Sequence, residues 1–210
     1  MKILIATPTY ENIMPDTYAG VSKVVKKTFF ETGCWPDWQF IRGYDVAAAR
    51  NSIAQKAVDG GYDYVMMVDN DIIVPDDALV NMLSHNEDVV LGYYVHRSYT
   101  GGRIEATSVC KLGETSFTKQ YTRQELQKLR EAGCFKEQIH GGGMGCALIR
   151  TNVFDRISWP WFRWYIYEDR HGTLSEDLYF CVKCGNSNIP IYTDTRVHCK
   201  HNIRYFQDAD

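Results

Sequence analysis

A long hydrophobic segment is missing from this 210-residue sequence. No apolar run approaches the roughly 20 residues of a membrane-spanning helix, and the N-terminal stretch lacks the longer apolar core of a secretory signal. We therefore expect a cytoplasmic protein without a transmembrane segment. A strong excess of one charge is missing too, because 23 Lys and Arg against 26 Asp and Glu leave a net charge of -3. This near balance gives no electrostatic reason to expect a nucleic acid or an anionic membrane surface as partner.

Internal repeats and low-complexity linkers are also absent from the sequence. Hydrophobic residues make up 45% and charged residues 23%, which is close to the globular average and argues against disorder. The length suits one compact α/β domain. The seven cysteines are an odd number without a secretory signal, so we expect reduced thiols rather than a disulfide framework.

Strand and helix patterns alternate over residues 1–94, which predicts a parallel sheet with helices on its faces. The predicted strands there are Lys2–Thr7, Trp38–Ile41, Tyr64–Val68 and Val89–Tyr94, and the predicted helices are Tyr18–Glu31, Val46–Ala57 and one opened by Pro75. Residues 95–140 are polar and break the alternation, with one predicted helix at Arg123–Glu131. The later predicted elements are the strands Cys146–Arg150, Ile189–Thr193 and Val197–His201, and the helix Leu174–Cys184.

An acidic triplet, Asp69-Asn70-Asp71, directly follows the predicted strand Tyr64–Val68. In an extended segment, residues two apart point the same way, so Asp69 and Asp71 are expected to converge. The carboxyl ends of strands in open α/β sheets are where ligands bind. Two carboxylates there predict an oxygen site for Mg²⁺ or Mn²⁺. The alternative interpretation is a polar turn that caps the next helix.

Five segments, in order along the chain, resemble motifs of GT-A-fold glycosyltransferases, and the last is similar to the Glu-Asp motif of family 2. They are Thr7-Pro8-Thr9-Tyr10, Ala49-Arg50-Asn51, Val68-Asp69-Asn70-Asp71-Ile72, Gly141-Gly142-Gly143-Met144-Gly145-Cys146 and Ser175-Glu176-Asp177. The third resembles the Asp-x-Asp motif. Together with the late histidines they span residues 3 to 201, nearly the whole chain.

The resemblance implies a GT-A (nucleotide-diphospho-sugar transferase-like) α/β fold with a mostly parallel central sheet flanked by helices. It implies a single domain, with residues 1–94 as the nucleotide-binding half and 95–210 as the acceptor-binding half. The expected activity is hexosyl transfer, dependent on Mn²⁺ or Mg²⁺, from a nucleotide-diphosphate donor, with a UDP-sugar as the expected donor. The sequence does not identify the acceptor, which is a glycan, a lipid-linked molecule or a protein.

The resemblance also implies a set of donor-binding residues. They are Thr7, Pro8, Tyr10, Asp45, Arg50, Asp69, Asn70, Asp71, Gly142 and Gly143. Tyr10 would stack on the base, and the backbone near Thr7 would contact the uracil. Many family 2 enzymes carry an acidic cluster after the second strand, where this chain offers only Asp45. The glycines allow close approach of the backbone to a ligand, or a flexible loop.

Arg50 falls on the apolar stripe of its predicted helix, where an unpaired charge is costly. Two partners remain open for its guanidinium. One is an intramolecular salt bridge with a nearby Asp, and the other is a donor phosphate or the Asp pair.

Glu176 and Asp177 receive different roles. Thr173 and Glu176 have the spacing of a capping box, so Glu176 is expected to be structural or to bind the acceptor. Asp177 matches the general base of inverting family 2 enzymes, which takes the proton from the acceptor hydroxyl. Catalytic roles are therefore assigned to Asp177 and, second, to Glu176.

Two late histidines, His198 and His201, lie in the predicted strand Val197–His201, where they are expected to face opposite sides. In related enzymes an Asp-Thr-x-Val segment is followed after three residues by a metal-binding His. Asp194-Thr195-Arg196-Val197 fits that pattern, which makes His201 the third metal ligand beside Asp69 and Asp71, with His198 as runner-up. A structural zinc site formed by Cys181, Cys184 and both histidines is the alternative.

Three tryptophans, Trp159, Trp161 and Trp164, precede the Glu-Asp motif and are candidates to stack on an acceptor sugar, although at least one is expected in the core. Rival functions keep the same donor site: a retaining glycosyltransferase, or a nucleotide-sugar-binding protein without chemistry. A nucleotidyltransferase is disfavoured because the loop after the first strand is neither Gly-rich nor basic.

Overall fold

The computed structural model describes residues 1–9, 12–95, 106–112, 119–167 and 172–202. The strands are β1 (Ile3–Thr9), β2 (Asp37–Arg42), β3 (Tyr64–Val68), β4 (Ile72–Ile73), β5 (Val89–Tyr93), β6 (Ala106–Lys111), β7 (Gln120–Thr122), β8 (Lys136–Gly142), β9 (Cys146–Arg150), β10 (Tyr165–Ile166), β11 (Thr173–Leu174), β12 (Ile191–His198) and β13 (Lys200–His201). The helices are α1 (Pro15–Thr32), α2 (Val46–Asp59), α3 (Ala78–Leu83), α4 (Arg123–Glu131), α5 (Val153–Arg156) and α6 (Glu176–Asn186).

In these ranges nine strands form one central sheet, in the order β2-β1-β3-β9-β5-β12-β8-β6-β7. β1 is parallel to β2 and β3, and β12 is parallel to β5. β9 lies antiparallel between β3 and β5, while β8 and β7 are antiparallel to their neighbours. Six strands (β2, β1, β3, β5, β12 and β6) therefore run in one direction. The predicted fold class, a mostly parallel sheet flanked by helices, is confirmed.

Helices cover both faces of the sheet, and β3 shows how the sequence produces this arrangement. Successive residues of a strand point to opposite faces. Val65 and Met67 pack in the hydrophobic cluster that includes residues of α2 and α6, whereas Met66 and Val68 pack with residues of α1 and α3. All four side chains are fully buried, as expected of a central strand covered on both sides. None of the helices in the described ranges is both long and apolar enough to cross a membrane.

The polar stretch 95–140 contains three strands that the sequence pattern missed. β8 begins with exposed or half-buried Lys136, Glu137 and Gln138, so it lacks the apolar alternation that signals a strand. β12 is also longer than the predicted strand Ile189–Thr193, because it continues through buried polar residues to His198 and into the predicted strand Val197–His201. Asp194 is fully buried there, and its Oδ2 accepts from Nη2 of Arg196 at 2.7 Å. Nε2 of His85 also lies 2.7 Å from this oxygen.

Candidate functional site

Arg50 joins the two acidic motifs of the chain. It lies on the buried face of α2 and is 3% exposed. Its Nη2 donates to both carboxylate oxygens of Asp69, at 2.8 and 3.0 Å, and its Nη1 donates to Glu176. The guanidinium thus connects the end of β3 to the start of α6. Asp69 is a nearby Asp and also a member of the Asp pair, so this contact is compatible with both partners that the sequence left open.

The electrostatics of this cluster favour a permanently charged arginine. Burial by itself lowers the pKa of Arg50, but the carboxylates of Asp69, Glu176 and Asp177 outweigh it and raise the pKa. Burial raises the pKa of Glu176, and the nearby guanidinium opposes that shift. Burial, reinforced by Asp69 and Asp177, also raises the pKa of the Tyr94 phenol, which therefore stays neutral. Asp69 and Asp177 thus act on the same buried groups.

Replacing Arg50 by Met is expected to destabilise the fold by about 3–5 kcal/mol, because it leaves buried carboxylates without a counter-charge. The measurement is the free energy of unfolding from urea denaturation. Arg156→Met is the matched control, since Arg156 pairs with Asp88 at the surface, where an ion pair is worth about 0–1 kcal/mol. Equal losses in the two variants would show that the Arg50 cluster is not a structural connection.

The acidic triplet is a turn rather than an extended segment. The Ile72 N–H donates to the Asp69 carbonyl at 3.1 Å, which closes the turn. The expected extended geometry is therefore wrong. Asp69 and Asp71 nevertheless line the same cleft, and their carboxylates have different partners. Asp69 binds Arg50, while Asp71 contacts the imidazole of His201, with 3.3 Å between Oδ2 and Nε2. The Asn70 side chain donates to the Asn12 carbonyl at 2.9 Å and ties the turn to the segment before α1.

His201 reaches the triplet through a small second sheet. β13 pairs antiparallel with β4, which sets His201 opposite Ile72, and the Asn202 N–H donates to the Asp71 carbonyl at 2.8 Å. His198 lies elsewhere: its ring stacks on Tyr93 with 4.8 Å between centroids. It lines a separate cavity of about 670 Å³. Of the two histidines, the structure places His201, and not the runner-up His198, beside Asp71.

The zinc alternative is wrong. The Cys181 thiol contacts the backbone of Gly142, and burial raises the pKa of Cys184 to about 12, which disfavours a thiolate. Within the described ranges, no group of three or more His, Cys, Asp or Glu side chains is placed to hold a metal ion. A metal beside Asp71 would therefore need ligands in addition to the side chains of the described residues.

A cleft of about 270 Å³ opens beside the triplet. It is lined by Pro8, Thr9, Gly43, Asp45, Val46, Ala49, Asp69, Asn70 and Asp71. Asp45 caps α2 by accepting from the Ala48 N–H at 2.7 Å. Thr7 does not line the cleft, because it is fully buried and its hydroxyl is 3.3 Å from the Trp38 indole nitrogen, which donates to it. Thr9, which sequence reasoning missed as a lining residue, follows two positions later on the same strand. The predicted contact of Tyr10 lies outside the described residues.

The predicted glycines serve internal packing. A Cβ on Gly142 would lie 2.7 Å from the Ser108 carbonyl oxygen, so the glycine permits close contact between β8 and β6. A Cβ on Gly143 would overlap the Tyr94 hydroxyl and lie 3.5 Å from the Asp177 carboxylate. Close packing within the protein therefore explains why glycine occupies both positions, without reference to a donor molecule.

Gly143→Ala is expected to destabilise the protein by about 1–3 kcal/mol through overpacking against Tyr94. Tyr94→Phe removes the overlapping hydroxyl, so the double variant should lose at least about 1 kcal/mol less than the two single variants summed. Thermal or urea unfolding of all four proteins measures this coupling. Strictly additive losses would contradict the packing role of Gly143.

Asp177 lies in the first turn of α6, next to the residue that pairs with Arg50. The predicted capping box is wrong, because the helix begins at Glu176 with Ser175 as its N-cap. The Ser175 hydroxyl instead donates to Oδ1 of Asp177, which also accepts from the Leu178 N–H at 2.8 Å. Glu176 is 4% exposed and belongs to the ion-pair cluster, while Asp177 is half-buried.

Two solved structures share this architecture. A197 from STIV is 17% identical with a TM-score of 0.63, and the match covers 97% of this chain and 87% of A197. GalNAc-T7, crystallised with UDP, GalNAc and Mn²⁺, is 12% identical with a TM-score of 0.63. The match covers 100% of this chain but 45% of GalNAc-T7. No protein-family model and no curated protein sequence matches the chain. At these identities the likeness concerns the fold, which is that of GT-A-like glycosyltransferases.

Proposed function

We propose that the chain is a metal-dependent glycosyltransferase that moves a sugar from a nucleotide-diphosphate donor, a UDP-sugar, to an acceptor. The fold supports the class of enzyme. The observation that carries the proposal is the connection Asp69–Arg50–Glu176, which joins the cleft beside the acidic triplet to the half-buried Asp177. Donor site and candidate base thus belong to one polar cluster. The family 2 assignment and the division of the chain at residue 94 stay predictions.

The cleft between β1, α2 and the triplet is the proposed site of the donor. Pro8, Thr9 and Asp45 line one part of it, where the nucleoside would bind, with Tyr10 expected to add a stacking surface. Asp69, Asn70 and Asp71 line another part, where the diphosphate would bind. Arg50 is assigned a positioning role, since both of its Nη atoms are bound to carboxylates.

Asp71 and His201 are the proposed protein ligands of Mn²⁺ or Mg²⁺. Their side chains contact each other and are 18% and 16% exposed, so the pair can reach a bound ion at the cleft. A carboxylate oxygen and an imidazole nitrogen suit Mn²⁺, with phosphate oxygens and water completing the shell. A metal bound there would neutralise the charge that builds on the departing diphosphate. Asp69 holds Arg50 with both oxygens and is the weaker candidate for a ligand.

Asp177 is the proposed general base. Ser175 and Leu178 fix Oδ1, and Oδ2 lies on the side of Gly143. The carboxylate would accept the proton of the acceptor hydroxyl as the hydroxyl oxygen attacks the anomeric carbon, and the bond to the diphosphate would break with inversion. Glu176 and Arg50 would hold α6 against the cleft during this step.

The test is release of UDP from a panel of UDP-sugars incubated with Mn²⁺ and with or without oligosaccharide, lipid-linked and peptide acceptors. We expect slow hydrolysis of at least one donor, and faster turnover with one acceptor class. NMR of the product's anomeric centre separates inversion from retention. Calorimetric binding of UDP without any turnover would indicate a nucleotide-sugar-binding protein instead. Absence of both binding and turnover would overturn the proposal.

A further inference from the structure

The segment 158–164 presents two exposed tryptophans on a well-anchored backbone. Trp159 is 69% and Trp164 is 50% exposed. Trp161 and Phe162, which lie between them, are buried and only 7% and 1% exposed. Trp161 belongs to the core, where its indole N–H donates to the Phe154 carbonyl at 2.9 Å. Two large exposed aromatic side chains this close together form an apolar surface of the kind that interaction sites carry.

The backbone between the two tryptophans is fixed by side chains from two helices. Asn51 of α2 accepts from the N–H groups of Trp161 and Phe162, at 3.1 and 3.2 Å, and donates to the Phe162 carbonyl at 2.7 Å. Lys183 of α6 donates to the carbonyls of Pro160, at 2.7 Å, and Ser158. Because the segment is ordered in advance, binding of a ligand there would cost little conformational entropy.

A cleft of about 620 Å³ lies between this segment and the outer face of α2. Trp159, Arg163 and Trp164 line one side, and Ser52 and Gln55 belong to the helix side. Asp45, at the start of α2, lines this cleft and also the cleft beside the acidic triplet. The two clefts therefore adjoin at Asp45. A molecule bound in the cleft at the tryptophans would lie next to the proposed donor site.

We propose that this second cleft binds a saccharide unit of the acceptor, an inference that rests on the proposed function. The C–H faces of sugar rings pack on indole rings, and Trp159 and Trp164 offer two such faces. Arg163, Gln55 and Ser52 supply the hydrogen-bonding groups that sugar hydroxyls need. A lipid tail would leave the polar groups of Ser52, Gln55 and Arg163 without partners, so its chemistry fits less well. The acceptor class indicated by the site is thus a glycan.

The test is ¹⁵N NMR of the five indole N–H signals during titration with cellotetraose, chitotetraose and mannotetraose. We expect one of these sugars to shift the Trp159 and Trp164 signals. Trp159→Ala and Trp164→Ala should each raise its Kd by about tenfold, as expected for loss of one stacking contact. Trp35→Ala is the matched control, because Trp35 is 60% exposed but packs on Phe29, away from this cleft.

Titration of UDP with Mn²⁺ into the same samples separates this inference from the proposed function. If UDP binds but none of the sugars shifts the Trp159 and Trp164 signals, the acceptor cleft is overturned and the donor site is left standing. Sugar binding that Trp35→Ala weakens as much as Trp159→Ala would also overturn it. Sugar binding at the tryptophans without UDP binding would retain a saccharide site but refute the glycosyltransferase.

Discussion

Asp71→Ala is expected to lower turnover of the UDP-sugar by about a thousandfold, because a catalytic metal supplies several kcal/mol and each 1.36 kcal/mol is tenfold in rate. Asp71 is the carboxylate of the triplet that contacts His201, whereas Asp69 holds Arg50. The loss should therefore reflect a missing metal ligand and leave the Arg50 cluster intact. Unfolding of the variant by urea should stay close to that of the wild type.

The control for this prediction is Asp76→Ala. Asp76 is another acidic residue shortly after β3, but its side chain is 59% exposed and lies 3.8 Å from Lys23 at the surface. Its removal should leave turnover unchanged. Full chelation of divalent ions should reproduce the effect of Asp71→Ala in the wild type. Unchanged turnover in Asp71→Ala, or in the chelated enzyme, would remove the proposed metal from the reaction.

Asp177→Asn should reduce transfer by about 10²–10⁴-fold, the usual contribution of a positioned general base. The amide keeps the shape of the side chain, and its oxygen can still accept from Ser175 and Leu178. Asp177 is not among the residues that line the donor cleft. UDP affinity should accordingly remain within about twofold of the wild type, a change of less than about 0.5 kcal/mol in binding free energy. The experiment pairs single-turnover transfer with calorimetric UDP binding.

Asp155→Asn provides the comparison for the Asp177 variant, because Asp155 is an exposed acid on α5 with no role in the proposed site.

Glu176→Gln should behave differently from Asp177→Asn and Asp155→Asn. It weakens the ion pair with Arg50, so its main effect should be on the free energy of unfolding. Full transfer activity in Asp177→Asn would show that another group, or none, acts as the base.

Regular elements were the part of the fold that the sequence predicted best. Tyr64–Val68, Arg123–Glu131 and Cys146–Arg150 have the bounds that their patterns predicted. β3 and β9 are continuous apolar runs, and α4 begins with a capping box formed by Thr122 and Glu125, so local sequence signals are sufficient to define them. β8 and the second half of β12 were missed because polar side chains are half-buried or buried there, in pairs that a local pattern does not reveal.

The residues that line the cleft were partly predictable from the sequence, but their contacts were less so. The triplet and Asp45 line the cleft as expected, yet the triplet is a turn, and Thr7 is buried in the core. The partners of Arg50 lie 19 and 126 positions away along the chain, and Asn51 binds a segment more than 100 positions away. Such contacts depend on how helices meet across the sheet, which residue spacing within one element does not encode.

A crystal structure of the chain soaked with UDP and Mn²⁺ tests the central claim most directly. We expect the uridine beside Pro8 and Asp45, the diphosphate beside the triplet, and an ion bonded to Asp71 and His201. UDP bound elsewhere, for example in the arginine-lined cavity at His198, or bound in the cleft with no ion beside Asp71, would contradict it.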